Sequence, residues 1–325
     1  MNTQFLETIK KATQANELGK PETIQNLWSN YGKIIRYRLT GASVPSVVVK
    51  HVRLLDGAGN PRGWNSKLSH RRKLKSYQVE SYFYEYYSSR CDVSCRIPRC
   101  LAMDHSGEEV LLVLEDLDTA GYPKRKDRVN WNELVTCLEW LANFHATFMN
   151  RQPEGLWESG TYWHLETRPE ELEVLNDKAL KNTAEAIERK LKASPFQTVV
   201  HGDAKLANFC FSPDARQVAA VDFQYAGGGC GMKDVAYFVG SCLYEEDCEK
   251  LESQILDTYF DALKKALDKQ AKNLNFEALH QDWRSLYHTA WADFHRFLKG
   301  WSPGHRKINS YSERICREVI AELKH

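Results

Sequence analysis

Apolar positions change their period several times along the chain, and each change marks an element. Phe5, Leu6, Ile9 and Ala12 recur at helical spacing, which predicts an amphipathic first helix ended by Pro21. From Thr23 the pattern becomes β-like. Thr23 to Leu27, Ile34 to Leu39 and Val47 to Val52 are separated by Ser29-Asn30-Tyr31-Gly32 and Gly41-Ala42-Ser43, and they predict a three-strand antiparallel meander. A Gly/Pro/Asn loop from Asp56 to Ser69 and a basic run from His70 to Lys75, read as solvated surface, lead to a helix over Ser76 to Ser88, with Val79, Phe83 and Tyr86 on one side. After Ile97-Pro98, Leu101 to Asp104 and Val110 to Leu114 read as two strands around Ser106-Gly107. Helical periodicity dominates thereafter. Helices are expected from Trp131 to about Met149 with Asn130 as cap, from Glu170 to Leu191, around Val235 to Cys242, from Asp247 to Ala271, and as a pair over Leu274 to Leu298.

One polar cluster interrupts this pattern in a different way. Val199 to Phe211 reads V-V-H-G-D-A-K-L-A-N-F-C-F, a strand entering a loop and a second strand leaving it. Ser212-Pro213-Asp214 signals a turn, and Gln217 to Val221 reads as the return strand, so Asp222 sits at a strand end beside the first loop. An acid (Asp203), an amide (Asn208) and a second acid (Asp222) can then converge. Asp203 suits proton acceptance from a hydroxyl. Asn208 and Asp222 are hard oxygen ligands of the kind Mg²⁺ takes beside nucleotide phosphates. Lys205 would offset the charge of a transferred phosphoryl group.

Composition narrows the class. The chain has 325 residues, 42% hydrophobic and 27% charged, which suits a globular protein of about two lobes. A net charge of +1 makes no electrostatic case for nucleic acid or an anionic membrane. Nine cysteines in neither C-x-x-C nor zinc spacing read as reduced thiols, and together with an amphipathic rather than signal-like N-terminus they lead us to expect a cytoplasmic protein. The glycines of F-Q-Y-A-G-G-G-C-G fail the dinucleotide spacing, because Met232 or Asp234 falls where the third glycine belongs. The aromatic stretch from Trp291 to Lys307 is a candidate acceptor pocket through Trp291, Asp293 and Trp301, and a packed helix end would read the same way.

The spaced set H-x-D-x-x-x-x-N followed by Asp222 resembles the catalytic core of the aminoglycoside phosphotransferase and choline kinase superfamily, whose loop also reads H-G-D. The chain looks most like its ecdysteroid-kinase-like branch. The resemblance runs from about Thr23 to Phe297 and implies an α+β, bilobal protein-kinase-like fold with a small β-rich N-terminal lobe carrying one main helix and a larger, mostly helical C-terminal lobe. Residues 1–114 would be the first lobe, 115–120 the linker and 121–325 the second. Lys50, after three valines, would hold ATP phosphates, paired with Glu80, with Glu85 as the competing carboxylate. Asn30 and Gly32 would form the phosphate turn, although it has one glycine rather than G-x-G-x-x-G. Glu115, Asp116 and Leu117 would meet adenine, Asn208 and Asp222 would take Mg²⁺, and Asp234 would either cap a helix or hold the catalytic loop. Phe223-Gln224 in place of Phe-Gly, and the lack of an A-P-E motif, point away from a protein kinase. The implied activity is transfer of the γ-phosphoryl group of ATP, with Mg²⁺, to a hydroxyl of a small molecule (an amino alcohol, aminoglycoside-like or steroid-like). A catalytically silent nucleotide binder and a protein kinase are the rivals.

Overall fold

A computed structural model describes residues 3–27, 31–53, 67–107 and 109–324. Helix α1 (Thr3–Thr13) precedes a six-stranded antiparallel sheet built from β1 (Glu17–Leu18), β2 (Glu22–Asn26), β3 (Gly32–Thr40), β4 (Ser46–Arg53), β5 (Cys100–Ser106) and β6 (Glu109–Glu115). The order is β1-β3-β4-β6-β5, with β2 also pairing along β3. The expected meander is therefore the start of a larger sheet.

Strand β4 explains the V-V-V-K-H-V run. Its Val47 and Val49 pack with Ile35, Leu111, Val113 and the α1 residues Phe5 and Ile9 on one face. Val52, on the opposite face, packs with Tyr31, Tyr77 and Val110. Both faces are covered, so both parities are apolar. Lys50 shares the Val52 face and stands opposite Ile34 and Leu112.

Helix α2 (Lys67–Tyr86) crosses that face. It begins earlier than the Ser76 start expected, and the basic run His70 to Lys75 is its first half rather than a solvated segment. Partners across the chain account for this: Arg72 donates to the Thr167 carbonyl at 2.7 Å and Lys73 to Gln224 Oε1 at 3.2 Å. The C-terminal half of α2 joins the main core through Val79, Phe83 and Tyr84, with Tyr87 just beyond its end.

The remainder is mainly helical: α3 (Trp131–Thr147), α4 (Pro169–Glu173), α5 (Lys178–Lys192), α6 (Met232–Cys242), α7 (Glu245–Lys269), α8 (Phe276–Trp301) and α9 (Ser310–Glu322). Asn130 caps α3 in a reciprocal capping box with Glu133. Two expectations are corrected. The helix expected over Glu170 to Leu191 is broken, because Asp177 caps α5 at Leu180 N and binds Lys299 and Arg317. The pair expected over Leu274 to Leu298 is the single helix α8, started by Asn275. Two short antiparallel pairs sit among the helices: β7 (Thr198–Val200) with β10 (Gly227–Gly229), and β8 (Phe209–Phe211) with β9 (Val218–Ala220).

Candidate active site

Strand β7 delivers the chain into the H-G-D loop. Gly202 has φ +79°, and a Cβ there would lie 2.0 Å from the Tyr225 carbonyl, so no other residue fits the turn. Two side chains then hold the loop from below. Asp234, fully buried near the start of α6, accepts from the backbone N–H of His201 at 2.5 Å and of Gly202 at 2.9 Å, and His145 of α3 lies 3.1 Å from it. Its burial opposes ionisation, but hydrogen bonding to His145 and the neighbouring imidazoles keep its pKa below the usual value. Gly231, not Asp234, occupies the cap position of α6, so Asp234 anchors the loop and is no helix cap. His201 is a structural bridge: Nδ1 accepts from Asp203 N at 3.2 Å, and Nε2 donates to the Val221 carbonyl at 3.0 Å. It ties the H-G-D loop to the segment that carries β9 into Asp222.

Asp203 is held by three donors. Tyr237 Oη donates to Oδ1 at 3.2 Å, while Lys205 Nζ and Asn208 Nδ2 reach Oδ2 at 2.8 and 3.2 Å. Asn208 also donates to the Asp203 carbonyl at 2.8 Å, which turns its amide oxygen the other way. Asp222 has φ +73°, in the left-handed region that Asp tolerates better than most residues. Its Oδ1 takes Lys50 Nζ at 3.2 Å and Gln224 Nε2 at 2.7 Å. Burial would raise its pKa, yet the Lys50, Lys205 and Lys73 charges hold it well below the usual carboxylate range. Among the described residues Asn208 Oδ1 and Asp222 Oδ2 accept no hydrogen bond, and both residues line the same cavity. Two free hard oxygens, one on an ionised carboxylate, fit a Mg²⁺ ion completed by phosphate and water.

The sheet contributes the opposite wall. Lys50 Nζ lies 2.6 Å from Glu80 Oε2 as well as 3.2 Å from Asp222, and both Lys50 and Glu80 are almost fully buried. Burial works against the lysine's charge, but the Asp222 and Glu80 carboxylates outweigh it and raise its pKa. Glu80, not Glu85, is the partner. Gln224, which the sequence marks only as a replacement for the glycine of Phe-Gly, receives Lys73 and Ser76 at 3.2 Å each while donating to Asp222, so it locks α2 to that acid. Only its place directly after Asp222-Phe223 hinted at this.

The remaining candidates divide. Glu115 and Asp116 line the cavity, but their side chains serve the frame. Glu115 pairs with Arg96 and Arg99. Asp116 binds Arg36 at 2.6 Å and Ser46 at 2.6 Å. Leu117 offers its backbone: its carbonyl receives Tyr122 N at 2.8 Å, and its N–H makes no hydrogen bond among the described residues. Asn30 lies outside the described residues. Gly32 is the first residue of β3, where φ +149° and a Cβ position 2.0 Å from the His51 carbonyl show a close strand crossing to β4. Asp293 does not line the large cavity: Trp163 Nε1 and Arg296 Nη2 occupy its oxygens at 2.9 Å each. Trp291 packs against Tyr311 and lines a smaller cavity beside α7 instead. Trp301 is in the large cavity, stacked on Phe297.

That cavity measures about 1020 Å³ and runs from β2 and β4, past Lys50, Asp222 and Asp203, to an aromatic end formed by Tyr162, Tyr237, Phe294, Phe297 and Trp301. The site thus places a cation clamp, two free oxygen ligands, a triply held carboxylate and an apolar recess in one continuous space.

The profile of the ecdysteroid kinase-like family matches residues 77–161 and 156–272, together more than half of the chain. The chain belongs to the ecdysteroid kinase-like family. The matched part of this family member carries Glu80, Asp203, Asn208, Asp222 and Asp234, whereas Lys50 and the aromatic end of α8 lie outside it. Solved structures of similar fold include choline kinase LicA from Streptococcus pneumoniae, 13% identical over 99% of both chains with a TM-score of 0.50. The GDP complex of aminoglycoside 2'-phosphotransferase-IIIa is 10% identical over 98% of both chains, TM-score 0.51. Ethanolamine kinase from Plasmodium vivax is 10% identical over 95% of this chain and 85% of its own, TM-score 0.50. These establish a kinase-like fold. No curated protein sequence matches significantly.

Proposed function

We propose that this protein is an ATP- and Mg²⁺-dependent phosphotransferase acting on a hydroxyl of a small molecule, with residues 1–114 and 121–325 as its two lobes and residues 115–120 as the linker between them. The observation that carries the reading is the alignment, in one cavity, of the Lys50–Glu80 pair, the free oxygens of Asn208 and Asp222, and Asp203. The family and the kinase-like fold agree with it.

Adenine would lie against the linker, accepting from the unpaired Leu117 N–H. Lys50, oriented by Glu80, holds the nucleotide phosphates. Asn208 and Asp222 would hold Mg²⁺, which neutralises charge on the transferring group. Asp203 points its carboxylate at the acceptor hydroxyl and Lys205 stands beside it. The hydroxyl oxygen bonds to the γ-phosphorus as the bond from that phosphorus to the bridging oxygen of ADP breaks. The hydroxyl proton passes to Asp203 and then to solvent, and ADP leaves with the bridging electrons. Three donors hold Asp203 in place, which suits positioning of the hydroxyl and late proton transfer in a loose, metaphosphate-like reaction.

The test is transfer of label from γ-labelled ATP to a pooled set of small hydroxylated compounds, with Asp203→Asn as control. A labelled small molecule that disappears in the control is the expected result. ATP binding with no transfer to any acceptor would sink the enzymatic reading in favour of a silent nucleotide binder.

A further inference from the structure

The aromatic end of the cavity already contains a cation. Lys307, on the connection from α8 to α9, places Nζ 5.1 Å from the Tyr237 ring centroid and 5.4 Å from that of Phe294. Those rings pack edge-to-face, 4.8 Å apart. Lys307 makes no ion pair among the described residues. The carboxylate nearest in function, Asp203, is committed on both oxygens to Tyr237, Lys205 and Asn208. Glu171 is taken by Arg168 at 3.0 Å. Glu170, at the rim, acts on Arg72, which also feels the Arg168 charge. Burial and neighbouring Arg306 pull the lysine down to about 8, against the more distant Asp203 charge that favours the ammonium, so it remains mostly protonated at neutral pH.

Aromatic faces attract cations, and a cavity end of this composition would ordinarily suit an ammonium acceptor. Here that place is filled by the protein's own ammonium. An incoming quaternary or primary amine would have to displace Lys307 or sit beside a like charge. At an effective dielectric near 20, two unit charges about 5 Å apart shift binding by roughly a hundredfold, and solvent exposure reduces this to about tenfold. Tyr237 links the two ends: its ring lies under Lys307 and its hydroxyl holds Asp203. A negative group at Lys307 therefore sits a few bonds from the position where Asp203 receives a hydroxyl.

We propose that Lys307 is the specificity residue of the acceptor end, and that the acceptor is an alcohol with a flat or cyclic apolar body that carries a carboxylate or similar anionic group and not an amine. This rests on the phosphotransferase reading above for the hydroxyl, but not for the anion.

The probes are hydroxymethyl-cyclohexanes bearing a carboxylate, a carboxamide or an aminomethyl group across the ring. Their binding is read by tryptophan fluorescence without nucleotide, and their phosphorylation with Mg²⁺ and γ-labelled ATP. The carboxylate should bind about tenfold tighter than the aminomethyl compound in the unaltered protein. Lys307→Met should bring the two within about threefold, Lys307→Glu should reverse the order, and Lys307→Arg should keep it; thermal melting confirms that each variant is folded. Equal binding of amine and carboxylate by the unaltered protein, an order unchanged in Lys307→Met, or no binding of any of the three would overturn the proposal. A uniform fall in turnover with all three acceptors in Lys307→Met, and no change in their binding order, would overturn it too and assign the lysine to the phosphoryl group. Ordered binding with no transfer leaves the anion site standing and removes the kinase reading; transfer without order does the reverse.

Discussion

The two ends of the cavity are built on opposite electrostatic plans. At the sheet end the innermost charges meet carboxylates, Lys50 with Glu80 and Asp222 and Arg36 with Asp116 and Asp118, while Lys73 donates to the neutral Gln224 amide. At the aromatic end Arg168, over Tyr162 and Phe297, is paired with Glu171, whereas Lys307, over Tyr237 and Phe294, has no carboxylate ion pair among the described residues. A fully answered network is rigid and suits a constant ligand, such as the phosphates of a nucleotide. An apolar recess with one unanswered charge suits selection among varied ligands. Asp203 stands where the two meet, held by Lys205 from one side and Tyr237 from the other.

That contrast can be broken most forcefully at the junction. Asp203→Asn should lower kcat about a thousandfold while leaving ATP affinity nearly unchanged, as measured by single-turnover transfer and nucleotide titration. A loss of only a few-fold would mean that the carboxylate is not the proton acceptor. Next comes the sheet end. Lys50→Met leaves Glu80 buried without its partner and should lower kcat/KM for ATP about a hundredfold, with little change in the KM for the acceptor. Equal damage to both constants would show that the two ends are not separable.

At the aromatic end, Tyr237→Phe removes one hydrogen bond to a charged carboxylate and keeps the ring under Lys307. It should reduce kcat about tenfold without altering ATP binding, and acceptor order should persist. The smallest effect concerns pH. His164 and His295 are buried near the aromatic end, and burial lowers them from 6.5 to about 3 and about 4. The unfolded chain takes up these protons at higher pH than the folded one, so their stabilising contribution is complete above about 6.5 and is lost as pH falls towards 4. Between pH 7 and 6 the loss should be on the order of 1 kcal/mol in denaturant melts. Asp222, depressed well below the ordinary range, keeps its contribution to much lower pH.

The same division marks what could be read in one dimension. The H-G-D loop, Asn208 and Asp222 lie within one strand-loop-hairpin unit, so local backbone geometry nearly suffices to bring them together. Lys50 showed itself as a charge on a strand buried on both faces, a placement that requires a partner. The resemblance pointed to Glu80 over Glu85, and the packing of α2 across the sheet brings Glu80 to the lysine. Aromatic density between Trp291 and Trp301 was visible, but not which rings face the cavity. Ten residues at about 100° each turn the helix by a net of roughly 280°, so Trp291 and Trp301 face different ways and line different cavities. Asp293 turns instead to Arg296 and Trp163 inside the core.

By itself the sequence determined the α+β class, the order of the elements and the convergence of Asp203, Asn208 and Asp222, because these depend on periodicity and on residues close in the chain. Only the tertiary structure decided the structural role of the Glu115 and Asp116 side chains, the Gln224 bridge, the Tyr237 hold on Asp203 and the seat of Lys307. Each of those is a contact between distant segments, and burial alone determines which polar group is left without a partner.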